Sequence, residues 1–162
     1  LETTNIAYIH PISAEPSKIH LVDSINVTKN ITYYDQEIFI YNKTEFHIAL
    51  TTNHEFHYKI NSTTNTSKPW SHEALSNNGN NSGHKFTQVN VDDRYNAEFI
   101  YCLDSNKYEV VRKSIVNFLN NDGVWELVTA DRCLRFKIFK YDGENILFYI
   151  VRTNYKLYAI KV

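Results

Sequence analysis

Residues 133–162, CLRFKIFKYDGENILFYIVRTNYKLYAIKV, contain three apolar segments separated by two sets of turn residues. Asp142-Gly143 is typical of a two-residue hairpin turn, whose central positions require positive φ. The pairs that this turn brings together are all apolar: Ile138 with Leu147, Phe136 with Tyr149, and Leu134 with Val151. A second tight turn at Thr153-Asn154 adds two further pairs, Tyr158 with Tyr149 and Ile160 with Leu147. The segment is therefore predicted to form a three-stranded antiparallel meander.

The middle segment of this meander, 146–151, is apolar at consecutive positions. Successive side chains of a strand point to opposite faces of the sheet. The pattern therefore predicts that this sheet is covered on both faces.

The same period of two appears in residues 44–51 and 55–60. A turn centred on Thr52 would join them as a hairpin with one apolar and one polar face. The pairs predicted for this hairpin are Phe46 with Tyr58, Ile48 with Phe56, Glu45 with Lys59, and His47 with His57.

Further short segments carry strand patterns with polar turns between them: 6–9, 18–22, 31–34, 37–41, 85–91, 97–103 and 124–129. These are too many strands for one open sheet. The predicted fold is all-β with one short helix, arranged as a two-sheet antiparallel β-sandwich in a single domain spanning 1–162.

The helix is predicted within 104–123, where apolar residues recur at steps of three and four. Asp104 or Ser105 would cap its start and Gly123 would follow its end. About four turns are expected, although Val110, Val111 and several Asn are poor helix formers.

Composition and charge exclude several classes of function. The chain has 162 residues, 43% of them hydrophobic, and a formal net charge of −1. Nucleic acid and anionic membranes are therefore not expected as partners, since they demand a basic surface. No stretch approaches about 18 apolar residues. Neither a membrane span nor a signal peptide is predicted, and any export signal is expected upstream of this sequence.

Six N-glycosylation sequons favour a secreted, extracellular protein: Asn26, Asn30, Asn42, Asn61, Asn65 and Asn80. Chance is the alternative, because the chain is rich in Asn, Ser and Thr. In an oxidising compartment, Cys102 and Cys133 are expected to form a disulfide, whereas in the cytosol they would be a pair of buried thiols. The polar stretch 61–84 is predicted to be a long glycosylated loop, with Trp70 in its middle.

No catalytic motif is recognised, and the chain is predicted not to be an enzyme. His54 and His57 are one residue too close for a zinc-protease helix and lie in a strand pattern. With only 4 Gly there is no phosphate-binding loop, and the two cysteines lack the spacing of a zinc site. No metal or cofactor is expected.

Recognition of another protein is the remaining function. Acidic residues on exposed strand faces and in loops are the predicted contacts for a basic ligand: Glu37, Glu45, Glu55, Asp92, Asp93, Glu98 and Asp104. The alternative for each is a solubilising surface charge. Aromatic residues make up 14% of the chain. They, and Tyr in particular, are favoured at such surfaces.

Three stretches carry a resemblance to a known family: NVTKNITYYDQEIFIYNKTE from Asn26, DGVWELVTADRCLRF from Asp122, and ILFYIVRTNYKLYAIKV from Ile146. Together they resemble SECRET, the C-terminal chemokine-binding domain of the poxvirus tumour-necrosis-factor receptor homologues. The resemblance implies a secreted viral decoy that binds host chemokines, which are small basic proteins, and blocks their receptor engagement. Tumour necrosis factor is not expected to bind this domain.

Two alternatives stay open. One is an extracellular carbohydrate-binding β-sandwich module, in which Trp70, Trp125 and several Tyr would stack on sugars. The other is a purely structural ectodomain.

Overall fold

The computed structural model describes residues 4–9, 21–27, 33–61 and 83–162, which fall into two compact units, Leu1–Thr32 and Tyr33–Val162. In the first unit, strands β1 (Thr4–Ile9) and β2 (Leu21–Val27) pair antiparallel. The prediction of one domain over 1–162 stays a prediction.

The described residues of the second unit form three antiparallel sheets and one short helix. The first sheet contains β3 (Tyr33–Tyr41), β4 (Thr44–Thr51) and β5 (Phe56–Asn61). The second contains β6 (Phe86–Val91), β7 (Phe99–Asp104), β8 (Glu109–Ser114) and β9 (Glu126–Thr129), with α1 (Ile115–Leu119) between β8 and β9. The third contains β10 (Cys133–Tyr141), β11 (Glu144–Val151) and β12 (Leu157–Lys161).

Each sheet is a meander in which consecutive strands are neighbours. Two-residue turns with positive φ close the tightest hairpins: Asn42 and Lys43 at φ 48° and 61°, and Asp142 and Gly143 at φ 50° and 76°. These values are those of the turn type whose twist matches paired strands. The hairpin predicted at Asp142-Gly143 is therefore confirmed.

Two hydrophobic clusters hold the second unit together, and the sheet β6–β9 contributes to both. The first cluster lies between the sheets β3–β5 and β6–β9 and includes Phe39, Phe56 and Cys102. The second lies between the sheets β6–β9 and β10–β12 and includes Tyr101, Cys133 and Leu147. Neighbouring residues of β7 thus enter different clusters, because side chains alternate along a strand.

The third sheet follows its predicted register almost throughout. Ile138 pairs with Leu147, and Phe136 with Tyr149, as predicted. The pairs Tyr149 with Tyr158 and Leu147 with Ile160 are also confirmed. Val151, however, pairs with Cys133 rather than Leu134, because a register shift between Cys133 and Arg135 leaves Leu134 as an extra residue.

The strand pairs predicted for the hairpin of β4 and β5 are wrong, because the centre of the turn was placed one residue too early. Ile48 pairs with Tyr58 and Leu50 with Phe56, which centres the turn on Asn53 rather than Thr52. His54 has a φ of 64°, and the backbone amide of Thr51 donates to the carbonyl of Glu55 at 2.9 Å. The turn therefore lies one residue further along the chain than the alternation pattern indicated.

A helix is present within 104–123, as predicted, but the predicted length of about four turns is wrong. The region forms the strand β8 and only five helical residues, Ile115–Leu119, capped by the Ser114 side chain. Val110 and Val111 are both buried, one in each cluster, since β8 is covered on both faces. Because this strand is buried at consecutive positions, the spacing of its apolar residues resembles that of a helix.

The all-β prediction is confirmed. The two-sheet sandwich is not, because the described strands of the second unit form three sheets rather than two.

Candidate interaction surface

One face of the third sheet remains exposed although much of it is apolar. We call it the outer face; its members alternate with the buried residues of the second cluster and are Arg135, Lys137, Phe139, Tyr141, Ile146, Phe148, Ile150 and Leu157. Phe139, Tyr141 and Leu157 are 50%, 76% and 66% exposed. Among the described residues, the prediction that this sheet is covered on both faces is therefore wrong, since only its inner face packs against another sheet, β6–β9.

Aromatic and basic side chains are combined on the outer face. The rings of Phe139 and Phe148 meet edge to face with centroids 5.7 Å apart. Arg135 and Lys137 are exposed on the same face of β10. Lys161 forms an ion pair of 2.8 Å with Glu144, so its charge is balanced locally. The outer face is therefore apolar with a net positive charge along β10.

A cleft of about 380 Å³ lies where β3, β6 and β10, the first strands of the three sheets, come together. We call it the junction cleft. It is lined by Tyr34, Asp35, Thr87, Gln88, Leu103, Leu134 and Arg135. The Gln88 amide fixes β6 to β10, because it donates to the carbonyl of Phe136 at 2.5 Å and accepts from the amide of the same residue at 3.2 Å.

Two carboxylates of β3 join that strand to β6. Asp35 accepts a hydrogen bond of 2.9 Å from the amide of Val89, and Glu37 lies 3.4 Å from Nδ2 of Asn90. Burial raises the pKa of both carboxyl groups, although the nearby charge of Lys137 opposes the change. Glu37, predicted as an exposed ligand contact, is thus half-buried between two sheets.

Asp92 and Asp104, also predicted as contacts, are buried and hold turns. Asp92 Oδ1 accepts from the amides of Asp93, Glu98 and Phe99 at 3.0–3.1 Å. Asp104 accepts from the amides of Lys85 and Asn106, and its Oδ2 lies 2.7 Å from His84 Nδ1. Their carboxylates complete the backbone hydrogen bonding of these turns, as short polar side chains do.

The remaining acidic candidates lie in different surroundings. Asp93 accepts from the amide of Tyr95 at 2.8 Å in the turn after β6. Glu45 contacts His47 Nε2 at 2.6 Å, and Glu98 lies 3.8 Å from Lys140 Nζ. Glu55 is half-buried in the turn before β5. A binding role for these residues stays a prediction.

The predicted pairing of His47 with His57 is wrong, because His47 pairs with Lys59 and His57 with Ala49. His47 is also buried rather than exposed, at 3%. His54 lies in the turn between β4 and β5, where its Nδ1 is 2.8 Å from the carbonyl oxygen of Phe86.

The predicted disulfide is corrected as well, since Cys102 and Cys133 are buried free thiols. Cys102 lies in the first cluster and Cys133 in the second, so the sheet β6–β9 separates them. Burial raises the pKa of Cys102 well above its usual value and that of Cys133 to about 11.

Other predicted features are described only in part. Asn42 is exposed in the turn between β3 and β4, where a glycan would have room. Asn26 and Asn61 lie in strands, and Asn30, Asn65, Asn80, Trp70 and most of the loop 61–84 fall outside the described residues. Trp125 packs against the first cluster, with its ring 4.7 Å from that of Phe86, so it forms no open stacking platform.

The outer face was missed in the sequence because its apolar residues were expected to be covered. The available signal was the pattern of Arg135, Lys137 and Phe139, in which charged and aromatic residues share one face of a strand. Within the described ranges, no group of three or more His, Cys, Asp or Glu side chains is placed to hold a metal ion. None of the helices in those ranges is long and apolar enough to span a membrane.

No protein-family model matches this chain, and no curated protein does. Among solved structures, the WD40 domain of SCAP from fission yeast is similar, with a TM-score of 0.58 and 12% sequence identity. The match covers 88% of this chain and 32% of that one, so this chain spans about a third of the length of the WD40 structure. At this identity the similarity concerns the fold: consecutive antiparallel sheets of a WD40 domain.

Proposed function

We propose that this domain binds another protein and that the outer face is its contact surface. The main observation behind this proposal is the exposed cluster of Phe139, Phe148 and Leu157, which lies beside Arg135 and Lys137. Contiguous exposed apolar surface with a polar rim marks interaction sites, and aromatic residues and Arg are enriched in them. A partner with an apolar surface and acidic residues at its rim complements this face.

The ligand class implied by the resemblance to SECRET is a host chemokine. Chemokines are basic, and Arg135 and Lys137 would repel a basic protein on the outer face. Capture of a chemokine would therefore use carboxylates elsewhere, such as Glu45, Glu55 and Glu98. The two ideas place the contact on different surfaces and can be separated by mutation.

The experiment is surface plasmon resonance of the domain against a panel of chemokines and a panel of acidic proteins, the charge class that complements the outer face. Three variants are compared with the natural chain: Phe139→Ser with Leu157→Ser on the outer face, Glu45→Lys with Glu55→Lys on the acidic residues, and Val124→Ser as a control. Val124 is 77% exposed and lies outside the outer face. Loss of affinity by more than about tenfold in the outer-face variant alone would support the proposed surface.

A loss confined to the Glu45 and Glu55 variant would support chemokine capture by carboxylates and reject the outer face. Absence of binding to every chemokine would reject that ligand class. Hydrogen exchange of any complex adds a direct check, since β10–β12 should then be protected.

A further inference from the structure

We propose that the junction cleft binds a carboxylate group carried on an apolar chain, with Arg135 as the anchoring side chain. The cleft shares Arg135 with the outer face, but the ligand proposed here differs from the protein partner proposed above, and it can be tested whether or not a chemokine binds.

The charged donor left over in the cleft is the guanidinium of Arg135. Among the described residues, no hydrogen bond or close ion pair engages the guanidinium of Arg135, although its charge acts on Asp35. Tyr34 and Thr87, whose hydroxyl groups can donate or accept, line the same cleft. An exposed guanidinium offers five donors in a planar fork that matches a carboxylate.

The strong acceptors of the cleft are already used. Asp35 accepts from the amides of Gln36 and Val89, each at 2.9 Å. The Oε1 atom of Gln88 accepts from the amide of Phe136 at 3.2 Å. These internal bonds hold Asp35 and Gln88 in place, while the guanidinium of Arg135 is left to meet an added anion.

Part of the cleft wall is apolar, which favours an anion with an apolar body over a bare ion. Leu103 and Leu134 line it together with the ring of Tyr34, which stacks on His54 at 5.4 Å. The volume of about 380 Å³ lies within the range of small-ligand pockets. A peptide with a carboxylate next to an aliphatic side chain has this chemistry, from either its C-terminus or an acidic side chain.

The test is an NMR titration of the whole chain with short peptides, following the methyl signals of Leu103 and Leu134. The probes are N-acetyl-Leu-Leu, which ends in a carboxylate, N-acetyl-Leu-Glu-amide, which carries it on a side chain, and N-acetyl-Leu-Leu-amide, which has none. At least one acid should bind about tenfold more tightly than the neutral amide. The stronger acid identifies the source of the carboxylate.

Arg135→Gln should weaken binding of the preferred acid by about tenfold to a hundredfold, because it removes a charge-assisted contact. Arg135→Lys should recover part of the affinity. Arg132→Gln is the matched control, since Arg132 is exposed just before β10 and does not line the cleft. Unchanged thermal midpoints establish that the variants are folded.

Equal binding of the neutral amide and the acids would overturn the proposal, as would full affinity in folded Arg135→Gln. Inorganic phosphate binding as tightly as the acids would reject the role of the apolar walls.

Discussion

Asp92 holds the turn between β6 and β7 with one carboxylate oxygen that accepts three backbone amides. Asp93, its neighbour, accepts two amides in the half-exposed part of the same turn. The two carboxylates are identical in chemistry, but only Asp92 is buried, at 4% exposure. Burial therefore decides what each contributes to stability.

Asp92→Ala should lower the free energy of unfolding by about 3 kcal/mol, because buried amides lose a charged acceptor. Asp93→Ala, the matched control, should cost less than about 1 kcal/mol, since water can replace its carboxylate. Urea denaturation measures both. Equal costs for the two variants would contradict the assignment of Asp92 as the structural residue.

Cys102 and Cys133 should both react with a thiol reagent after unfolding without reductant. In the native protein at neutral pH both should react very slowly, because burial excludes the reagent and raises the thiol pKa, to about 11 for Cys133. A colorimetric thiol titration counts them. Finding no thiol in the unfolded chain would restore the disulfide.

At the scale of the element, β10 shows how alternation divides one strand between stability and recognition. Ile138 is 3% exposed in the second cluster, whereas the adjacent Phe139 is half exposed on the outer face. Two apolar side chains one residue apart therefore have different roles: Ile138 stabilises the core, and Phe139 is available for recognition.

Ile138→Ala should cost about 3 kcal/mol of unfolding free energy, since it leaves a cavity between two sheets. Phe139→Thr keeps a good strand former and should cost about 1 kcal/mol, while weakening binding of any partner on the outer face. Urea denaturation of both variants gives the comparison. A larger loss from Phe139→Thr would mean that the outer face is part of the core.

At the scale of the whole unit, carboxylate side chains link two separate sheets, β3–β5 and β6–β9. Asp35 and Glu37 reach from β3 to groups of β6, and burial raises the pKa of both. A raised carboxyl pKa means that the folded state binds the proton more tightly than the unfolded state, so stability rises as pH falls.

The contribution of these two groups should grow as pH falls through their raised pKa values and be complete below the ordinary values of 3.8 and 4.5. The double variant Asp35→Asn, Glu37→Gln should lack this gain. Urea denaturation between pH 7.5 and pH 4 compares it with the natural chain. Identical pH dependence in the two proteins would contradict the assignment.

Local pattern accounts for much of the fold. Asp142-Gly143 and the apolar alternation around it fix the register of the third sheet, because turn geometry and side-chain period agree there. The pattern was insufficient at β8, where burial on both faces produced helix-like spacing, and at Leu134, where an extra residue shifts the register.

The candidate site was less accessible to such reasoning. Glu37 and Asp104 looked like surface carboxylates, yet each has a partner distant in sequence, whereas Asp92 is buried within its own turn. The junction cleft combines residues of four strands. The resemblance to SECRET and the chemokine ligand stay predictions.

The sequence by itself determined most of the strands, the turn at Asp142-Gly143 and the all-β class, since these depend on φ preferences and on alternation between near neighbours. Only the tertiary structure decided how the sheets stack, which cysteines and carboxylates are buried, and which apolar face stays open. Those features depend on contacts between segments far apart in the chain, and a local pattern of apolar residues cannot tell a covered face from an exposed one.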